Sequence, residues 1–197
     1  MDDPKQDTAA KTQKLPRLSL DPADQEKEAA FEEGQQRILH MIEDNAPLPE
    51  ILKNLVLLIE AQTPEMLCSV LLLSADGNHI VHGAAPNLPE QYVKAVDGAP
   101  IGPKHGSCGT AMYRGEPVVV TDILSDPLWD GYRDLAAGTG LRACWSTPIM
   151  SRRGKVLGSF AMYYRQPQAP TGAEAYLTRV ATNIAAQAIE HNAQQRA

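Results

Sequence analysis

The hydrophobic and polar positions of this chain fall into helical periods at its two ends and strand-like runs in its middle. Asp21-Pro22-Ala23-Asp24 reads as a helix start, with Asp21 as the cap and Pro22 at the first helical position. The helix is expected to run to about Glu43 on a thin apolar stripe of Ala30, Phe31, Ile38, Leu39 and Ile42, interrupted by Glu32-Glu33-Gly34-Gln35-Gln36. Such a stripe suits a helix lying along another helix, in this subunit or a second one. Asn45 to Pro49 breaks the pattern, and a second helix is expected from Pro49 to about Ala61, with Ile51, Leu52, Leu55, Leu58 and Ile59 on one side. The last helix begins at a capping box, Thr171-Gly172-Ala173-Glu174, and carries Leu177, Val180, Ala181, Ile184, Ala188 and Ile189 as its stripe.

Between these helices the period shortens. Residues 67–73 (LCSVLLL) and 79–84 (HIVHGA) flank the turn Ala75-Asp76-Gly77-Asn78 and read as a hairpin. A short helix is expected from Leu88 to about Val96. Pro117–Thr121 is a third strand, and Ser125-Asp126-Pro127-Leu128-Trp129 starts a capped, partly irregular segment that reaches Ala137. Ala143–Met150 and Lys155–Tyr164 form a second hairpin around Ser151–Gly154. Helices at the ends and strands in the middle predict an α+β fold: a mostly antiparallel sheet with the terminal helices on one face. Residues 88–114 and 122–140 are then expected to cover the other face. Residues 1–20 read as a disordered tail.

Composition narrows the function classes. The net charge of −6 argues against nucleic acid and anionic membranes as partners. No apolar run approaches ~20 residues, so no membrane insertion is expected. The N-terminus lacks the apolar core of a secretory signal. Three cysteines, Cys68, Cys108 and Cys144, are an odd set that fits a reducing, cytoplasmic location.

The candidate chemistry centres on residues 101–115, IGPKHGSCGTAMYRG. Gly106 to Thr110 nearly lack side-chain bulk, which lets the backbone approach a neighbour closely. Ser107 is a good N-cap for a helix over Cys108–Arg114 stopped by Gly115. The stretch reads as either one wall of a small-molecule pocket or a tight turn packed on the sheet. Cys108 is either a nucleophile at a helix start, with His105 nearby, or a small buried apolar residue. Cys144 points away from Trp145 on its strand; facing Cys108 it would make a redox or metal pair, and otherwise it packs the core. His79 and His82 are expected on opposite faces of a strand, so the histidines form no metal cluster. Asp122 either fixes its turn or meets a ligand. Trp129, Tyr132 and Arg133 suit a lid over a flat or anionic ligand, and Arg142 is a pocket cation or a loop anchor. No phosphate-binding loop, zinc-ligand spacing or complete catalytic set is visible, and no cofactor is named.

Taken together, IGPKHGSCGTAMYRGEPVVVTDI, DPLWDGY, GLRACWSTPI, GKVLGSFAMYY and the final AIEH resemble a GAF domain, from about residue 46 to 193. The resemblance is to the modules that precede cyclic-di-GMP turnover domains and histidine kinases in bacteria. It implies a sheet of about five or six strands, terminal helices on one face and a ligand pocket on the other. His105, Ser107, Cys108, Thr110, Asp122, Trp129, Tyr132, Arg133, Arg142 and Cys144 are then the candidate ligand-binding residues. The implied function is a non-catalytic sensory module, homodimeric through its terminal helices (residues 21–45 and the last helix), binding a small molecule whose identity is open. Alternatives within the family are a cysteine-dependent enzyme similar to the free methionine-(R)-sulfoxide reductases and a haem or gas sensor using His105. Bilin-bearing relatives attach their chromophore at a cysteine next to a histidine, and this chain has no such pair. Because residue 197 follows the last helix closely, the sequence reads either as a free-standing module or as a piece of a protein with an output domain.

Overall fold

The computed structural model describes residues 21–196. The expected tail, residues 1–20, lies outside that range. Helix α1 (Pro22–Glu43) opens as expected, with Asp21 Oδ1 accepting from Ala23 N–H at 3.1 Å. Its stripe, Phe31, Gly34, Ile38 and Ile42, is buried within the same chain against α2 (Leu48–Glu60) and α6 (Gly172–Gln195). Gly34, part of the polar interruption of the stripe, is buried where Leu58 of α2 packs against it. A Cβ there would lie 2.4 Å from Leu58 Cδ1. The capping box of α6 is present, with Thr171 and Glu174 each bonding the other's backbone.

The strands β1 (Leu67–Leu73), β2 (Ile80–Ala84), β3 (Val118–Val120), β4 (Ala143–Met150) and β5 (Val156–Tyr164) form one antiparallel sheet in the order β2-β1-β5-β4-β3. The period-2 alternation divides the sheet's side chains between two layers. Cys68, Val70, Trp145, Phe160, Met162 and Tyr164 join the helical core with α1, α2 and α6. Leu71, Cys144, Ala161 and Tyr163 face the second layer, made of α3 (Glu90–Val96), α4 (Gly106–Arg114), a 3₁₀ turn at Pro127–Trp129 and α5 (Arg133–Thr139). Each large aliphatic side chain buried in these layers contributes about 1.5–3 kcal/mol.

Two expectations change. The second helix starts at Leu48, with Pro49 in its first turn. His79 lies ahead of β2, not in it: it bridges to Pro100, and its Nδ1 lies 2.9 Å from Asp76 Oδ2 in the hairpin turn. The reason is the outer edge of β2. Residues 97–101 cover it, through Ile80 N–H to Ala99 O (2.8 Å) and His82 N–H to Asp97 Oδ1 (2.8 Å). An edge that would otherwise offer free backbone groups is thus closed by the chain itself.

Glu60, at the end of α2, is a buried charge holder. Its Oε1 accepts from Cys68 N–H at 2.7 Å and its Oε2 from Asn87 Nδ2 at 2.5 Å. Burial raises its pKa above the usual carboxylate value, against the pull of these two donors. A raised acid favours folding at pH below its unfolded value of 4.5, and that contribution is lost as pH rises through its folded value. Glu60→Gln keeps an acceptor for Cys68 and removes the charge. Its stability relative to wild type is therefore expected to be higher at pH 7 than at pH 4, read from urea midpoints at both pH values. Glu60→Ala leaves Cys68 N–H and Asn87 without partners and is expected to cost about 1–3 kcal/mol.

Candidate ligand site beneath the glycine-rich helix

Helix α4 begins two residues earlier than expected. Gly106 has a φ of +61°, a left-handed conformation that a side chain rarely adopts, and a Cβ there would touch the Trp129 indole at 3.7 Å. This turn places Ser107 inside the helix, so it is not the N-cap. Its Oγ instead donates to Cys144 O at 3.0 Å and accepts from Trp129 Nε1 at 3.0 Å. The loop is closed from within the helix: Thr110 Oγ1 accepts from His105 N–H at 3.1 Å. One serine hydroxyl therefore joins α4, strand β4 and the covering segment.

A cavity lies at the start of α4, lined by Ile80, Tyr92, Val96, Ala99, His105, Gly106, Ser107, Cys108, Gly109, Trp129 and Tyr132. Its volume is about 20 Å³, measured as the space open to the centre of a water molecule. That is room for a molecule of about water size. Among the described residues no Asp, Glu, Lys or Arg lines it. Its walls are aromatic: Trp129 stacks on Tyr92 with centroids 6.4 Å apart and planes at 19°, and Tyr132 meets Trp129 edge-on at 80°.

Below Cys108 the sheet presents thiols and hydroxyls where aliphatic side chains are the norm. Cys108 Sγ and the Tyr163 hydroxyl share a hydrogen bond of 3.4 Å, and Tyr163 shares another of 3.1 Å with Ser69 Oγ. Ser146 Oγ and Ser159 Oγ are buried without a hydrogen-bond partner, yet both lie near enough to the Cys108 sulfur to favour its thiolate. The Cys144 thiol donating to Cys108 draws the Cys108 pKa down to about 7, against its burial. Burial, and then the same contact, pushes Cys144 well up. Tyr163 is raised chiefly by burial.

Of the residues expected at a pocket, His105, Ser107, Cys108, Trp129 and Tyr132 line this cavity. Thr110 and Cys144 are buried beside it. Asp122, Arg133 and Arg142 lie elsewhere. Arg142 grips Asp122 through Nη2–Oδ2 (3.0 Å) and Nε–Oδ1 (3.2 Å) contacts, while Asp122 Oδ1 also accepts from Leu124 N–H at 3.2 Å. The pair ties the two ends of the covering segment together and is a loop anchor. Arg133 is held by Asp130 and by Asp126 O. Arg142 keeps the Asp122 carboxyl below its usual range. A depressed acid contributes stability above its unfolded value of 3.8 that is lost as pH falls through the folded one. Asp122→Asn is expected to make residues 123–141 more susceptible to limited proteolysis at pH 7, with the difference from wild type shrinking toward pH 3.

The structure adds residues that sequence reasoning missed: Tyr92, Ser146, Ser159 and Tyr163. Tyr92 and Val96 are one helical turn apart, a signal that could have placed both on the buried side of α3. Ser146 carried no signal beyond alternation with Cys144 along β4, and Ser159, on β5, carried none.

A family model for the GAF domain matches residues 45–190. The chain belongs to the GAF domain family. The antiparallel sheet and its two covering layers agree with the GAF fold. A curated relative, the methyl sulfide methyltransferase-associated sensor of Methanosarcina acetivorans, is 39% identical over 158 residues, covering 80% of this chain and 16% of the relative. This chain thus spans about a sixth of that protein's length. The GAF domain of a phosphoenolpyruvate-protein phosphotransferase from Coxiella burnetii superposes with a TM-score of 0.65 at 19% identity, over 85% of this chain and 97% of that one. The free methionine-R-sulfoxide reductase from Neisseria meningitidis, solved with its substrate, superposes with a TM-score of 0.63 at 18% identity, over 92% and 98%. These structural likenesses establish the fold alone.

Proposed function

We propose that this GAF domain is a non-catalytic sensory module whose small-molecule site is the cavity between α4, Tyr92 and the Trp129–Tyr132 segment. The observation that carries the reading is the Ser107 hydroxyl, which links the glycine-rich helix start, the sheet and Trp129 in one contact. A ligand that displaces Trp129 breaks this link, so occupancy is converted into movement of α4 and the covering segment. The uncharged, aromatic lining favours a small neutral or flat ligand over a strongly charged one. The name of the Methanosarcina relative supports a sensory role.

Dimerisation through the terminal helices is the proposed output. The inner stripe of α1 is used within the chain, so the pairing surface is the outer side of the helix layer, where Leu57 and Tyr176 are exposed. Sedimentation velocity is expected to show a dimer that weakens when residues 21–45 are deleted. A monomer at every concentration overturns the pairing. Among the described residues no helix is long and apolar enough to cross a membrane.

Native mass spectrometry of protein purified from its own host tests the ligand reading. A co-purified small molecule is expected. Absence of any bound molecule, together with no metabolite that raises the melting temperature, overturns it. The reductase alternative rests on Cys108 and predicts turnover of free methionine sulfoxide that disappears in Cys108→Ser. For haem the fit is poor: the cavity has no space for a macrocycle in this conformation, and His105 Nδ1 is buried without a partner where it packs on Gly102.

A further inference from the structure

We propose that Cys108 and Cys144 are a peroxide-oxidisable dithiol, set in the floor of the cavity, that closes to a disulfide joining α4 to β4. The inference stands apart from the identity, or even the existence, of a cavity ligand. Four observations place it. The first is convergence: Cys108 on α4 and Cys144 on β4 belong to the same buried layer, Cys144 stands opposite Tyr163 in the β4–β5 pairing, and the Tyr163 hydroxyl meets the Cys108 sulfur at 3.4 Å. The backbone is already pinned there, because Ser107 donates to the carbonyl of Cys144 itself. The second is the hydroxyl surround. Tyr163 bonds the Cys108 sulfur at 3.4 Å, and the Ser146 and Ser159 hydroxyls are buried without another partner beside it. Serines at such sheet positions lose packing relative to Val or Ile, and orphaned buried hydroxyls are costly. A role toward the sulfur accounts for both.

The third observation is access. Cys108 lines the cavity, which has room for a molecule of about water size and among the described residues has no Asp, Glu, Lys or Arg in its lining. The fourth is an internal control. Cys68 sits on the opposite face of the sheet in the helical core, where burial first and then Glu60 push its thiol well up. Among the described residues no second thiol acts on it.

The chemistry balances with hydrogen peroxide as the oxidant. The Cys108 thiolate attacks the peroxide's near oxygen. The O–O bond breaks, the far oxygen leaves and takes the proton the thiol gave up, and Cys108 becomes a sulfenic acid with release of one water. The Cys144 sulfur then attacks the Cys108 sulfur, the S–O bond breaks, and the Cys144 proton leaves with the hydroxyl as a second water. Two thiols are oxidised and one peroxide is reduced. A dithiol reductant reverses the product by exchange. Closing the bond removes the Cys108 thiol from Tyr163 and fixes the start of α4 against β4, so the cavity floor becomes rigid.

The test treats the full chain with hydrogen peroxide, blocks remaining thiols with an alkylating agent after denaturation, and maps peptides without reduction. A Cys108–Cys144 cross-linked peptide, with Cys68 alkylated and the intact mass lower by two hydrogens before alkylation, is expected. Cys144→Ser is expected to stop at the sulfenic acid, trapped on Cys108 by dimedone. Cys108→Ser is expected to lose thiol at least about tenfold more slowly, since the reactive thiolate is gone. The wild-type rate is expected to rise with pH through about 7, as the Cys108 thiolate forms. Oxidation that favours Cys68, a Cys108→Ser protein as reactive as wild type, or both pocket thiols still alkylated after peroxide would overturn the proposal. Should either variant not fold, the wild-type peptide map decides alone. Ligand occupancy is read by native mass and the disulfide by peptide mass, so each reading can fail without the other.

Discussion

Replacing Trp129 with alanine is expected to cost about 3–5 kcal/mol, the range for deleting a fully buried large aromatic side chain. Trp129 is 2% exposed and is among the largest side chains buried in the molecule. It carries three separate contributions. Its indole fills the space between α3, α4 and the 3₁₀ turn, stacked on Tyr92 and edge-on to Tyr132. Its Nε1 donates to Ser107 Oγ. Its ring closes against Gly106, whose φ of +61° a side chain rarely adopts. Trp129→Phe keeps most of the volume and loses the donor, so the expected cost falls to about 1–2 kcal/mol. The measurement is the urea midpoint at unchanged slope, which separates a loss of stability from a change in compactness. The alanine variant also leaves an apolar, indole-shaped space. Added indole is expected to raise its midpoint and leave wild type unaffected, because a ligand stabilises only a state that holds it. A loss below about 1 kcal/mol would mean that Trp129 does not hold α4 to the covering segment, since a collapsed site could not refill so much volume.

The same neighbourhood shows what a sequence reveals and what it withholds. Local rules reached the caps of α1 and α6, because Asp21-Pro22 and Thr171-Gly172-Ala173-Glu174 act within one turn. Alternation along β4 correctly set Cys144 and Trp145 on opposite faces. The order of the elements put residues 88–114 and 122–140 over the second face of the sheet before any contact was known. What failed was long-range or conformational. Ser107 looks like a cap on local grounds, but a positive φ at Gly106 moves the helix start, and that φ is supported by packing on Trp129, far along the chain. Asp122 and Arg142 looked like separate pocket candidates, and their pairing across the covering segment is visible only in three dimensions. Gly34 read only as part of a polar interruption of the α1 stripe, whereas it is buried where Leu58 of α2 packs against it. Tyr163 sat within an apolar run, and nothing in that run marks its hydroxyl as the partner of Cys108 and Ser69.

Gly158→Ala is expected to be at least as damaging as a poor core substitution, about 3 kcal/mol or more. The sign is informative, because alanine in place of glycine within a strand ordinarily gains stability through the unfolded chain. Gly158 lies in β5, between Leu72 of β1 and Ile149 of β4. A Cβ there would fall 2.1 Å from Leu71 O and 3.1 Å from both Leu71 C and Leu72 Cα. All three are backbone atoms of a paired strand. A side chain in their place could rotate away, but the backbone can yield only by opening the β1–β5 ladder, and β5 is the middle strand of the sheet. The same ladder carries Ser159, Ala161 and Tyr163 on the cavity side, so a shift there also moves the hydroxyls around Cys108. Gly131→Ala is the matched control. Nothing lies within 4 Å of its added Cβ and its backbone is not left-handed, so its melting temperature is expected to stay near that of wild type. If Gly158→Ala melts at or above wild type while Gly131→Ala does not change, the close approach of β1 to β5 does not require glycine.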